Sequence, residues 1–186
     1  MHEPLGALDK KLREQIQLEI IRLHRELGMS IIYVTHDQEE ALLMSDRIAV
    51  FNKGCIEQMG VPEDVYENPG TLFIADFIGD SNFIPVRVMS REGAFYVVEG
   101  PATMRGRAQA ELPRGHKSVL VVRPERVRLA TAAVAPEAGV NSLAGRVKRV
   151  VYLGKSRKYI VATEAGVEII ALEQCSEGRA SLALNE

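Results

Sequence analysis

The segment THDQEEAL, Thr35 to Leu42, places a histidine and three carboxylates directly after a run of apolar residues. In an open α/β sheet, ligands bind outside the carboxyl ends of the strands. A polar pair at the end of a buried strand is therefore a candidate site. Thr35 and His36 occupy that position, provided that the apolar run before them is a strand and the segment after them a helix.

The same residues also have ordinary structural explanations. An isolated histidine such as His36 more often caps the following helix or satisfies a loop carbonyl. Asp37, Glu39 and Glu40 would lie in a first helical turn, where carboxylates complement the helix dipole. Local physics alone leaves both interpretations open.

A second group of polar residues lies at the start of the chain, in MHEPLGALD. Glu3 precedes a proline and a glycine-containing turn, and Asp9 precedes a segment with a helical pattern. Aspartate is a preferred N-cap because its side chain accepts a hydrogen bond from a first-turn amide. By itself, this segment could be nothing more than the entry into a helix.

The elements that position both groups follow an alternating order. Residues 10–27 carry one apolar stripe, which predicts an amphipathic helix that ends at Gly28. Residues 29–34 are typical of a short strand buried on both faces. A helix over 38–44 and a strand over 47–51 complete the order that is typical of an α/β sheet.

The remainder of the chain changes character after residue 80. A tight turn at 52–54 predicts a β-hairpin, and two short helices should follow, over 62–66 and 71–78. The turn-forming segment 79–82 predicts a boundary between domains over 1–80 and 81–186. Beyond it, short strands predict a small barrel or sandwich, and these are the runs FIPVRVM, AFYVVEG, SVLVVRP, RVRLA, GRVKRVVYLG, KYIVATEAG and VEIIAL. The Ala- and Pro-rich residues 130–142 should form a surface loop.

Composition limits the possible partners. The chain has 23 basic and 25 acidic residues and a net charge of -2, which disfavours a general attraction to nucleic acid or anionic membrane. No apolar run approaches the roughly 18 residues of a membrane-spanning helix. We expect a cytosolic protein that touches a membrane only through a partner. Cys55 and Cys175 stand in no metal-ligand spacing and are expected to be reduced thiols.

Taken together, the segments resemble the ATP-binding-cassette ATPases of membrane importers. The matching segments are EPLGALD, YVTHDQEEAL, SDRIAVFNKG, IEQMG and PEDVYENP, and RPE in the second half resembles the appended domain of the same subfamily. The resemblance implies the C-terminal part of a P-loop NTPase α/β domain, followed by a small oligonucleotide-binding-like β-barrel. It covers nearly the whole chain and points to the maltose and polyamine types.

The resemblance implies roles for individual residues. Glu3 matches the glutamate that orients or deprotonates the attacking water, a role that suits a carboxylate near the γ-phosphate. His36 matches the histidine that contacts the γ-phosphate. Asp9, with Ala7 and Leu8, matches the loop that crosses the dimer interface towards the partner's nucleotide.

One position departs from the family pattern. His2 stands where the Mg²⁺-coordinating aspartate is expected, so no metal ligand is assigned in this chain. ATP and Mg²⁺ are expected as cofactors of the full-length parent.

The resemblance also implies partners and a location. The parent should act as a homodimer beneath two membrane-spanning permease subunits, with a substrate-binding protein, at the cytoplasmic face of the membrane. Nucleic acid is not an expected partner.

Several motifs needed for ATP hydrolysis are missing from the 186 residues. Phosphate binding needs the pattern G-x-x-x-x-G-K-[ST] between a strand and a helix. Gly154-Lys155-Ser156 has Arg149 at the place of the first glycine and strand patterns around it. The serine-glycine-glycine signature, the aromatic base-stacking strand and the glutamine loop are also absent. We predict that this chain alone does not hydrolyse ATP. We also predict that its first 80 residues expose apolar surface and pair or swap with another copy.

Two alternatives stay open at this point. The chain could be a non-enzymatic module for dimerisation or ligand sensing. Less favoured is nucleic-acid binding by the basic stretch GRVKRVVYLGKSRKY, since basic residues interleaved with aromatics can track a backbone on such a barrel. A solvated strand face explains the same stretch more simply.

Overall fold

The structure is a computed structural model that describes residues 9–130 and 139–175. The chain divides into two compact units, Met1–Gly79 and Asp80–Glu186. The elements of the first unit are α1 (Lys10–Leu27), α2 (Gln38–Met44), β1 (Ile48–Asn52), β2 (Cys55–Gly60), α3 (Pro62–Glu67) and α4 (Leu72–Phe77). Those of the second unit are β3 (Asn82–Glu92), β4 (Phe95–Glu99), β5 (Thr103–Gly106), β6 (Lys117–Val122), β7 (Gly145–Tyr152), β8 (Ser156–Thr163) and β9 (Glu168–Gln174).

Helix α1 has the bounds that its apolar stripe predicts. The Asp9 side chain accepts a hydrogen bond from the amide of Leu12 at 3.0 Å, as an N-cap should. At the other end, Gly28 adopts a left-handed conformation with φ of 62° and donates its amide hydrogen to the carbonyl of His24. Both ends of the helix are therefore encoded locally.

The predicted hairpin forms from β1 and β2, which pair antiparallel. Lys53 and Gly54 both have positive φ, at 49° and 82°, which is the backbone of the two-residue hairpin turn that matches strand twist. Helices α3 and α4 cover this hairpin. The hairpin and the two helices share a small apolar core. It consists of Ile48, Val50, Val65, Ile74 and Ile78.

The predicted buried strand over residues 29–34 is wrong for the structure as described. The segment contributes a single bridge residue, Val34, and no strand. Ile32 is 82% exposed and Val34 is 45% exposed. A strand of this type forms between neighbours that pair with its backbone and cover its faces, and the segment belongs to none of the described sheets. No parallel α/β sheet is present in residues 9–79, where β1 and β2 make a two-stranded antiparallel sheet.

Apolar side chains are exposed on the first unit, as predicted. Helix α1 turns part of its stripe to solvent, with Leu12 41%, Leu23 44% and Leu27 60% exposed. The described residues give this face no cover.

In the residues that the structure describes, the regular elements of the second unit are strands and one 3₁₀ turn. One sheet has the strand order β5-β4-β3-β6 and the other has the order β7-β8-β9. Ile169 of β9 packs into the core formed by β3, β4 and β5, so the two sheets share apolar contacts. A closed cylinder is not seen in the described part of the chain, and the oligonucleotide-binding-like barrel stays a prediction.

Two details of the second unit differ from the sequence prediction. The run RVRLA is not a strand: Pro124–Arg126 forms a 3₁₀ turn, after which Val127 and Leu129 pack against the core of the second sheet. Strand β5 was not predicted, since its four residues carry only one buried side chain, Met104. Most of the predicted loop over 130–142 lies outside the described residues.

Candidate functional site

The predicted site residues are only partly within the described chain. Glu3, Ala7, Leu8 and His2 lie outside it, so their assignments stay predictions. Asp9 is the N-cap of α1, which is the ordinary explanation of that residue. The cap neither supports nor contradicts the predicted role of Asp9 at a dimer interface, which stays a prediction.

The turn between Thr35 and α2 displays His36. Asp37, rather than His36, is the N-cap of the helix, and its Oδ1 accepts from the amides of Glu39 at 2.9 Å and Glu40 at 3.2 Å. The interpretation of His36 as the helix cap is therefore wrong. Its side chain is exposed at the tip of the turn, where it can meet a ligand.

Glu40 is the residue whose role the sequence did not indicate. Although it lies in the first turn of α2, its side chain is buried, with 4% exposed. Its Oε2 accepts hydrogen bonds from the hydroxyl of Thr35 at 2.8 Å and from the phenol of Tyr33 at 2.9 Å. Glu39, its neighbour, is exposed. The helix-dipole explanation therefore suits Glu39, whereas Glu40 is the acceptor of a buried polar network.

Hydrogen bonds to a charged acceptor are the stronger kind, each contributing about 1.5–3 kcal/mol. Without such donors a buried carboxylate would be costly, because burial penalises its charge. The pKa of Tyr33 is raised well above its ordinary value of 10.0, mainly by burial and further by the hydrogen bond to Glu40. The phenol therefore stays protonated, and remains a donor, throughout the physiological pH range.

Helix α1 approaches the same turn with two polar side chains. Gln17, buried in the middle of α1, directs its Nε2 to Oε1 of Glu40 at 3.5 Å. Arg13, one turn earlier, has a guanidinium nitrogen 3.9 Å from Oδ2 of Asp37. Both distances are at the long end of their kind, so these contacts are weaker than those from Thr35 and Tyr33.

The described residues contain no phosphate-binding loop between a strand and a helix. Gly154 has φ of 80° in the turn between β7 and β8, so Gly154-Lys155-Ser156 is a hairpin turn rather than a phosphate-binding loop before a helix. Among the residues searched, no group of three or more His, Cys, Asp or Glu could hold a metal ion. The contact of His36 with a γ-phosphate stays a prediction.

Most of the basic stretch of the second unit lies on one face of a sheet, opposite the buried Tyr159. Cross-strand partners share a face, and the pairs Arg149 with Ile160 and Arg146 with Ala162 lie opposite the face of the buried Tyr159. Lys148 pairs with Glu168 at 2.7 Å and Lys158 with Asp80 at 2.6 Å. These two carboxylates neutralise part of the basic face, which favours a solvated strand face over a continuous track for a nucleic-acid backbone.

The RPE segment anchors the start of the second unit. Arg123 is buried, and its Nη1 donates to Oγ of Ser81 at 2.6 Å and to the carbonyl oxygen of Asp80 at 3.3 Å. Asn82 exchanges two hydrogen bonds with the backbone of Ile170, at 2.8 and 2.6 Å. Side chains far apart in sequence thus hold residues 80–82 against the sheets.

Comparison with known proteins first defines the class of the second unit. Residues 120–185 match the TOBE domain family, whose members have the oligonucleotide-binding-like architecture that the sequence predicts. No helix in the described residues is long and apolar enough to cross a membrane.

Relatives extend the match to the first unit. The chain is 44% identical over 184 residues to the spermidine/putrescine import ATP-binding protein PotA of Acidothermus cellulolyticus, covering 98% of this chain and 47% of the relative. It is 42% identical over 184 residues to PotA of Thermobifida fusca, with coverage of 98% and 47%. It is 43% identical over 188 residues to PotA of Rubrobacter xylanophilus, with coverage of 98% and 48%.

The chain belongs to the family of ATP-binding-cassette importer ATPase subunits and corresponds to their C-terminal portion. It spans about half the length of the relatives that it matches, at 47% for the first two. The resemblance stated from the sequence motifs is confirmed at the level of the family.

Proposed function

We propose that this chain forms the C-terminal portion of the ATP-hydrolysing subunit of an importer for polyamines such as spermidine and putrescine. The observation that carries the proposal is the turn at Thr35–Asp37, which holds an exposed imidazole between two anchored residues. The relatives' names, which specify import of spermidine and putrescine with ATP binding, favour polyamines over sugars.

Within the complete subunit, His36 contacts the γ-phosphate of ATP and Glu3 activates the attacking water. Asp9, with Ala7 and Leu8, faces the second copy across the dimer interface. The subunit acts as a homodimer with two permease subunits and a substrate-binding protein, at the cytoplasmic face of the membrane. ATP and Mg²⁺ are its cofactors. Residues 1–80 form the C-terminal end of its P-loop NTPase α/β domain, and the P-loop lies in the preceding part of that domain.

The experiment is steady-state ATP hydrolysis by the complete subunit assembled with its permease. His36→Ala should lower kcat by about 100-fold, since removal of one preorganised transition-state contact typically costs 10²–10³-fold. The matched control is His116→Ala, because His116 is exposed in the second unit and should leave kcat unchanged. Normal turnover by His36→Ala would contradict the proposal.

The chain by itself should neither bind nor hydrolyse ATP, since its sequence contains no G-x-x-x-x-G-K-[ST] pattern. Equilibrium binding of a fluorescent ATP analogue to the purified chain tests this statement. Turnover by the purified chain that Glu3→Gln abolishes would overturn it.

A further inference from the structure

The buried carboxylate of Glu40 has no role in the function proposed above, yet it accepts a hydrogen bond from Thr35, the residue before His36. Burial of a carboxylate is unfavourable unless donors surround it. Here the donors come from the segment that leads into His36, namely Tyr33 and Thr35. The contacts therefore connect the interior of the first unit to the displayed imidazole.

Thr35 transmits this contact to the other side of His36. Its hydroxyl donates to Oε2 of Glu40 at 2.8 Å and accepts from the backbone amide of Asp37 at 2.9 Å. Asp37 is fixed in turn as the cap of α2. The residues immediately before and after His36 are thus joined through one hydroxyl, which limits the conformations that the imidazole can sample.

We propose that Glu40 is a positioning residue for His36: through Thr35 and Tyr33, its buried carboxylate sets the conformation of the turn that presents the imidazole to its ligand. This inference rests on the proposed function only for the identity of the ligand. The turn's dependence on Glu40 is a property of the chain itself and can be measured without nucleotide.

Two alternatives make different predictions. If Glu40 merely stabilises the first unit, its loss should destabilise both the apolar core around Val50 and the turn at His36. If the N-cap of Asp37 alone sets the turn, removal of the Thr35 hydroxyl should change nothing around His36. The comparison of Thr35→Val, which preserves the shape of the side chain, with Thr35→Ser, which preserves the hydroxyl, separates these cases.

The experiment is NMR spectroscopy of the chain with ¹³C-labelled histidine and ¹⁵N-labelled backbone. In Glu40→Ala and Thr35→Val, the His36 ring resonance should shift, and the solvent exchange of the Asp37 amide should rise about tenfold, as expected for loss of one hydrogen bond. Thr35→Ser should restore both signals. Glu39→Ala is the matched control, because Glu39 is exposed in the same helical turn and should leave both unchanged.

The amide exchange of Val50, in the core of the unit, reports whether each variant remains folded. If Glu40→Ala unfolds the unit, folded Thr35→Val still tests the proposal, because it removes the hydroxyl that joins Glu40 to Asp37. An unchanged His36 resonance and unchanged Asp37 exchange in folded Thr35→Val would overturn the proposal.

A parallel measurement in the complete subunit separates this inference from the proposed function. Thr35→Val should lower kcat of ATP hydrolysis with little change in KM, and Thr35→Ser should recover it. Full activity of His36→Ala would refute the proposed function while leaving the NMR result intact. Loss of activity in His36→Ala with a normal kcat in folded Thr35→Val would refute the positioning role alone.

Discussion

The two units differ in how far their own residues satisfy their backbone and cover their apolar side chains. The second unit pairs its strands in sheets of four and three, around a core that includes the fully buried Tyr159. In its described residues the first unit has a two-stranded sheet, an extended segment that joins no described sheet and a long helix with exposed leucines. The difference indicates that the second unit can fold by itself, whereas the first unit needs further apolar contacts to cover its exposed side chains.

The largest test of this difference is to produce residues 1–79 and 80–186 as separate proteins. Residues 80–186 should unfold cooperatively in urea, because both sheets and their shared core lie within them. Residues 1–79 should bind a dye for exposed apolar surface and form dimers or larger species, because leucines on α1 and the segment at Ile32 are uncovered.

Light scattering and urea titration measure both outcomes. The full chain provides the control, since it should show the cooperative transition of residues 80–186 and the dye binding of residues 1–79 together. A monomeric, cooperatively folded 1–79 protein without dye binding would remove the distinction between the units.

A second test compares two asparagines within the second unit that make the same pair of backbone hydrogen bonds. Asn82 bonds the backbone of Ile170 and is buried, whereas Asn141 bonds the backbone of Arg105 and is exposed. Asn82→Ala should lower the free energy of unfolding by about 2–4 kcal/mol, because it leaves the buried backbone amide and carbonyl of Ile170 without these partners. Asn141→Ala should cost less than about 1 kcal/mol, since water replaces its bonds.

Urea denaturation of residues 80–186 measures both differences, with hydrogen exchange of β9 as a local probe. Asn82→Asp, which keeps the acceptor and loses the donor, should fall between wild type and Asn82→Ala. Equal losses of unfolding free energy in Asn82→Ala and Asn141→Ala would show that burial does not determine how much these hydrogen bonds stabilise the unit.

The sequence predicts correctly those features that depend on interactions between residues close together in the chain. Helix α1 was predicted with its observed bounds because its cap, apolar stripe and terminal glycine are all local. The turn at Lys53-Gly54 was predicted for the same reason. RVRLA was misread because alternating apolar residues serve equally well in a strand or, as with Val127 and Leu129, in an extended segment after a turn.

The candidate site was predicted only in part. His36 was identified by its place after an apolar run, although that run is not a strand in the described structure. Glu40 was misinterpreted because an exposed and a buried glutamate in a first helical turn have the same local pattern. The available signal was the presence of hydroxyl donors at Tyr33 and Thr35, seven and five residues earlier, which helical periodicity does not reveal.

The smallest expected effect concerns an exposed ion pair in the second unit. A hydrogen bond from Lys148, its charge and the more distant charge of Arg149 lower the pKa of Glu168 below its ordinary value of 4.5. A carboxyl whose pKa is lowered in the folded state stabilises that state above its unfolded pKa. This contribution is lost as the pH falls through the folded pKa, so the relevant window lies below pH 4.5.

NMR titration of Glu168 measures this shift directly. Lys148→Gln should raise the pKa of Glu168 towards its ordinary value, and Arg149→Gln should raise it less, because Arg149 acts only through distance. Lys155→Gln, in the turn of the same hairpin, is the control and should leave it unchanged. Added salt should diminish the shift, since exposed charges are screened. A pKa that stays low in Lys148→Gln would show that Lys148 is not the main cause of the lowered pKa.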